Sequence, residues 1–160
     1  SRGLGDVYKR QKLNSMKTSD VYKLVIDRFK LSLNDEEQKR FKSLLPELLK
    51  RVQVYTDLKF EFDWLFQKDF FCKDKNYQLK LQKHNLMLKE IGLKLKECEW
   101  SEHNIKNTLN QYILDKSLTF KDIGPILRMA LTGKTNSPDL VSIIYELGCT
   151  ITVNRLTYEY

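Results

Sequence analysis

Cysteine, histidine and long apolar runs are all scarce in this sequence, and each shortage removes a class of chemistry. The three cysteines, Cys72, Cys98 and Cys149, are odd in number, widely spaced and never arranged as a Cys-x-x-Cys pair. A disulfide framework or a zinc site is therefore not expected, and a reducing compartment suits the chain. The two histidines, His84 and His103, lie far apart without a partner set for catalysis or metal binding. His84 shares a face with Leu81, Leu88 and Ile91 and reads as a core or boundary residue, while His103 falls in the first turn after Ser101 and reads as exposed. No nucleophile stands beside a base, and no two acids share a helical face in a way that suggests general acid–base work. No apolar run approaches the roughly 18–20 residues that span a bilayer, and no charged-then-apolar leader opens the chain. The expectation is a soluble protein of the cytoplasm or an organellar matrix, with no membrane partner. Strand pairs and internal repeats are also missing.

What remains is basic and helical. Lysine and arginine total 28 against 21 acids, a net charge of +7, and 41% of residues are hydrophobic. That suits one domain or two small ones with a true core, and it favours a polyanionic partner. Residues 1–11 lack any helical period and resemble a translated adapter remnant, so they are set aside and the native chain is expected to begin, truncated, near Lys12.

Ser19 is expected to cap a first helix with Val21, Leu24, Val25 and Phe29 inward. Asn34 and Glu37 have capping-box spacing and introduce a second, whose apolar face runs Phe41, Leu44, Leu45, Leu48, Leu49, Val52. Pro46 sits inside it and should kink it or open a new helix. Thr56 or Asp57 can cap a third, with Leu58, Phe62, Leu65 and Phe66, and Phe70-Phe71-Cys72 reads as a buried connector. Residues 76–98 carry two interleaved leucine series, Leu81, Leu88, Leu95 and Leu79, Leu86, Leu93, which predicts one long helix with a wide apolar stripe and Gly92 as its weak point. A helix from Ser101 buries Ile105, Leu109, Tyr112 and Ile113, and Ile151, Arg155 and Leu156 fit a short last one.

Between these lies the most informative stretch. Thr119 caps a helix that buries Phe120, Ile123, Leu127 and Leu131 and turns Lys121, Gly124, Arg128 and Thr132 outward. Gly133 can close it in the left-handed conformation, and Lys134–Asn136 supply a polar turn. Ser137-Pro138-Asp139 then reads as cap, first helical residue and dipole-complementing acid, before Leu140, Ile143, Ile144 and Leu147. The composite is all-α, about eight helices in a bundle or superhelix.

From Lys12 to Leu156 the chain resembles the C-terminal region of bacterial-type glutamyl-tRNA synthetases. The residues that carry the likeness are Leu-Arg-Met-Ala-Leu-Thr-Gly at 127–133, Ser-Pro-Asp-Leu at 137–140, Glu-Leu-Gly at 146–148 and Asn-Arg-Leu at 154–156. Leu-Leu-Lys-Arg-Val at 48–52, Trp-Leu-Phe at 64–66 and Glu-Trp-Ser at 99–101 support it. The resemblance implies a helical anticodon-binding cage of two small subdomains, residues 12–73 and 74–160, acting as a monomer. It implies tRNA(Glu) as partner, with tRNA(Gln) a second candidate. The parent enzyme would join glutamate to the tRNA 3′ end using ATP and magnesium, and this piece, holding no cofactor, would be inactive alone. An arginine at Arg51 would meet the first anticodon base, and Arg128 with Ser137, Pro138 and Leu140 the second and third. Two departures stand out: Asn110 occupies a place where some members have an RNA-contacting arginine, and Pro125 is one position early. Ser15-Met16-Lys17-Thr18-Ser19 looks superficially like the ATP-binding lysine–serine signature of class I synthetases, but the residue order is wrong. Two other readings stay open: a non-enzymatic helical interaction module, and the anticodon domain of a class I lysyl-tRNA synthetase.

Overall fold

The computed structural model describes residues 15–51, 61–67 and 69–160, with Arg51 described by its backbone alone. The expected remnant at 1–11, Val52, and the helix start at Thr56 or Asp57 with Leu58 and Phe60 lie outside the described residues. The chain divides into two compact units between Phe66 and Gln67. The connector at 70–72, just ahead of the subdomain boundary expected at 73/74, packs onto the end of the chain. Phe71 stacks on Tyr158 with centroids 5.6 Å apart, and the Cys72 N–H donates to the Tyr160 hydroxyl at 2.9 Å.

The first unit contains α1 (Thr18–Phe29) and α2 (Asp35–Arg51). Ser19 lies within the first turn of α1, whose N-cap is Lys17 with no side-chain cap bond, so its expected capping role is not realised. The capping box of α2 is present: the Asn34 N–H donates to Glu37 Oε2 at 3.0 Å, and the Glu37 N–H donates to Asn34 Oδ1 at 2.9 Å. Pro46 neither ends α2 nor starts another helix. It is exposed, as is Lys42 one turn earlier, so water can take the Lys42 carbonyl that loses its helical donor. The core of this unit is aromatic. Phe41 packs on Tyr22, Phe62 and Phe66 at centroid distances of 5.5, 5.0 and 5.4 Å, beside buried Leu44, Leu45 and Leu48. The Asp63–Leu65 3-10 turn buries Trp64, whose indole donates to the Glu61 carbonyl at 2.9 Å.

The second unit holds α3 (Lys75–Lys83), α4 (Asn85–Glu97), α5 (Glu102–Asp115), α6 (Phe120–Thr132), α7 (Leu140–Leu147) and α8 (Cys149–Leu156). The single helix expected over 76–98 is thus two. The break is at His84, with φ −108° and ψ 16°, and its ring Nδ1 lies 2.8 Å from the Lys80 carbonyl, where it can cap the end of α3. The Leu88 N–H then bonds the His84 carbonyl and the helix restarts. Gly92 is not the weak point: it is buried inside α4 where α8 passes close, and a β-carbon there would lie 3.5 Å from Leu156 and Thr157.

The two leucine series part company. Leu81, Leu88 and Leu95 are at most 1% exposed and form core with Ile91, whereas Leu79, Leu86 and Leu93 are 57–72% exposed. The apolar stripe is therefore half as wide as expected. Ser101 caps α5 as read, its hydroxyl accepting from the Asn104 N–H at 3.1 Å. Ile105, Leu109 and Tyr112 are buried, and the Tyr112 hydroxyl donates to Glu90 of α4 at 2.6 Å. That bond, with Lys116 behind it, holds the Glu90 carboxyl below the usual glutamate range, while burial first, then Glu90, keeps the Tyr112 hydroxyl protonated well above the ordinary tyrosine value. Among the described residues no helix is long and apolar enough to cross a membrane, and all three cysteines are free thiols.

Candidate nucleic-acid interface

The α6–α7 hairpin is built by local rules. Asp122 accepts from both the Thr119 N–H at 2.6 Å and the Thr119 hydroxyl at 2.8 Å, which starts α6 and holds the Asp122 carboxyl below its usual range. Gly133 closes the helix with φ 72°, and its N–H bonds the Met129 carbonyl. Thr132, expected on the outer side, is 2% exposed: its hydroxyl donates to the Arg128 carbonyl at 2.8 Å and accepts from the Lys134 N–H at 3.1 Å. It stitches the turn to the helix.

The cap of α7 differs from the sequence reading. Asp139, not Ser137, is the N-cap, accepting from the Ser142 N–H at 3.0 Å, so α7 begins at Leu140 and Pro138 precedes it. Both Ser and Asp satisfy the capping pattern, and the aspartate has the register that reaches a third-residue N–H.

Arg155 on α8 anchors the hairpin from behind. It is 3% exposed, and its guanidinium donates to the Leu131 carbonyl at 2.6 Å and to the Gln67 carbonyl at 3.1 Å while lying 4.4 Å over the Phe70 ring. A cation at the last turn of α6 meets the negative end of the helix dipole and occupies a carbonyl that the helix leaves unpaired.

The expected site residues fall into three situations. Arg128 is half-buried, on α6 one turn before the closing glycine. Ser137, Pro138 and Leu140 share the hairpin with it, yet all three are buried, with Ser137 at 6% and Leu140 at 0% exposure. Their side chains shape the tip, and the tip's exposed side chains are Thr135, Asn136 and Asp139, the first two belonging to the polar turn. Arg51 ends α2 in the other unit, and its side chain lies outside the described residues. Asn110 is exposed on α5 and Pro125 is exposed on α6. Among the described residues no group of three or more His, Cys, Asp or Glu is placed to hold a metal ion.

Fold and hairpin together define an all-α protein whose basic balance suits a polyanion and whose α6–α7 hairpin carries a half-buried arginine, Arg128. The family model described as "Anticodon binding domain" matches residues 20–159, and the chain belongs to that family. Curated relatives are glutamate–tRNA ligases. Glutamate–tRNA ligase 1 of Bartonella henselae is 31% identical over 126 residues, covering 78% of this chain and 26% of the relative. Glutamate–tRNA ligase 2 of Bartonella quintana is 29% identical over 127 residues, covering 78% and 27%. The chain thus spans about a quarter of the length of these relatives. Among solved structures, a glutamate tRNA ligase from Elizabethkingia meningosepticum, crystallised with its amino acid, superposes with a TM-score of 0.71 at 18% identity, over 92% of this chain and 30% of that one. That likeness supports the fold.

Proposed function

We propose that this chain is the anticodon-reading part of a glutamate–tRNA ligase. The observation that carries the reading is the family match over residues 20–159, joined to relatives that are glutamate–tRNA ligases. The whole enzyme would attach glutamate to the 3′ end of tRNA(Glu), drawing on ATP and magnesium held elsewhere in the protein. The present chain would bind tRNA as a monomer without catalysing the reaction. An enzyme of this kind works in the cytoplasm or an organellar matrix, and tRNA(Gln) is a second candidate substrate.

The physical division of labour follows from charge and exposure. Exposed lysines such as Lys106 and Lys121 suit phosphates, which position the RNA without reading it. Arg128 suits a base edge, because a guanidinium both hydrogen-bonds and stacks on an unstacked base. Buried Ser137, Pro138 and Leu140 would act by fixing the tip, and Arg51 would read the first base from the other unit.

Binding of the 160-residue chain to tRNA(Glu), its anticodon variants and tRNA(Lys) tests this at several salt concentrations. The expected result is salt-sensitive binding that prefers the glutamate anticodon. Arg128→Ala should weaken discrimination at one anticodon base by about 1–3 kcal/mol, while Lys106→Ala should weaken all tRNAs alike. Indifference to the anticodon would return the chain to a non-enzymatic basic module, and preference for tRNA(Lys) would assign it to a lysyl enzyme.

A further inference from the structure

Phe120, expected in the core, instead opens α6 as a residue 43% exposed, while Ile123, Leu127 and Leu131 are fully buried. An exposed aromatic ring at a helix start contributes little to folding. Its neighbours give it context. Phe120, Gly124 and Arg128 follow at i, i+4 and i+8 along one flank of α6. A β-carbon on Gly124 would lie 3.1 Å from Phe120 Cε1 and 3.1 Å from Arg128 Nη1. The ring and the guanidinium therefore converge on the glycine from opposite ends.

The backbone at Gly124 does not itself call for glycine, since the glycines with positive φ are Gly133 and Gly148. Two features use its missing side chain: the Pro125 ring that follows, which crowds a β-carbon on the preceding residue, and the closure of Phe120 and Arg128 over it. The outcome is a short ledge with a flat apolar face at one end and a planar cation at the other.

We propose that Phe120 is a further RNA-contacting residue: its exposed ring stacks on an unpaired base of the anticodon loop next to the base that Arg128 reads. The inference rests on the proposed tRNA-reading function. Single-stranded bases splayed out of a loop lose their neighbours, and aromatic rings beside guanidinium groups are the usual replacement surface. Tyr145 and Tyr158 are comparably exposed, but it is Phe120 that approaches Arg128.

The test uses the full chain and an anticodon stem–loop RNA of tRNA(Glu) sequence. Phe120→Leu removes the flat face while keeping apolar bulk, and Phe120→Trp enlarges it. Phe120→Leu should weaken binding roughly 5- to 150-fold with its urea midpoint unchanged, whereas Phe120→Trp should bind at least as well as the parent. A scan of abasic sites through the RNA loop should then find one position at which the penalty of Phe120→Leu disappears. If Phe120→Leu binds like the parent, or if its loss is the same for every abasic RNA, the stacking role is overturned while the tRNA-reading function stands. If the unmodified chain does not bind the stem–loop, the proposed function fails and this inference with it.

Discussion

Replacing Arg155 should destabilise the second unit more than any exposed arginine could. Its guanidinium supplies donors to two backbone carbonyls, and the two differ in what happens when it leaves. Leu131 is fully buried, so its carbonyl would be left dry, a loss of about 2 kcal/mol; Gln67 is half-buried, so water recovers part of its bond and about 1 kcal/mol is lost. The contact 4.4 Å over the Phe70 ring adds about 1 kcal/mol. These sum to about 4 kcal/mol for Arg155→Ala, which also empties space. Arg155→Met keeps the stem over Phe70 and should cost about 3 kcal/mol, while Arg155→Lys, able to reach one carbonyl, should cost about 1–2 kcal/mol.

Urea titration followed by NMR can assign the loss to the right unit, because each unit has one tryptophan among the described residues. The Trp100 indole N–H donates to the Tyr145 carbonyl at 3.2 Å in the second unit, and that of Trp64 to Glu61 in the first. With an m value of about 2 kcal/mol/M, the Trp100 midpoint should fall by about 1.5 M in Arg155→Met. A midpoint within about 0.25 M of the parent at unchanged m would refute the assignment of Arg155 as the anchor of α6.

Three further outcomes are expected. The carboxyls of Glu90, Asp122 and Glu159 are each held below their ordinary values, by Tyr112 first, by the Thr119 N–H first and by Lys89 first. A lowered folded value gives stability that is present above the ordinary value and lost as pH falls through the folded one, so the Trp100 urea midpoint should be level above pH 4.5 and drop below it, less steeply in Asp122→Asn. Tyr160 has the opposite sign: burial pushes it up to about 12, so stability should be lost as pH rises from 10 towards 12, and Tyr160→Phe should soften that limb. The leucine series offer a second contrast, in which Leu88→Ala should cost about 2–5 kcal/mol and Leu86→Gln less than about 0.5 kcal/mol by calorimetry.

Most of the helical order was legible because capping and periodicity are local. The Asn34–Glu37 box, the Ser101 and Thr119 starts and the Gly133 stop each depend on residues within a turn of one another. Where the reading failed, the sequence offered more than one local solution, and for the leucines a distant contact chose between them. Nothing in residues 76–98 says which leucine series is core, since both repeat every seven positions; α8 and α5, packed against α4, decide it. His84 breaks that helix although no glycine or proline marks the spot. Ser137 and Asp139 both had capping chemistry, and the register of the turn after Gly133 selected the aspartate.

The arginines make the same point about function. Arg128 and Arg155 both stand in the sequence blocks that carry the family likeness, and nothing in their immediate neighbours separates a base reader from a structural anchor. Burial does. Arg155 is enclosed, with a backbone carbonyl at 2.6 Å and an aromatic face beneath it, so an RNA phosphate could reach it only by taking apart the end of α6. Arg128 is half-buried on that same helix, with its guanidinium folded towards Gly124 and Phe120, where a ligand can approach without disturbing the core. The two should therefore separate by assay: Arg155→Lys loses stability and binds the tRNA(Glu) stem–loop normally while folded, whereas Arg128→Lys, compared while folded, loses base discrimination, because an ammonium cannot reproduce a planar fork. Binding loss in folded Arg155→Lys equal to that of Arg128→Lys would show that burial is the wrong criterion.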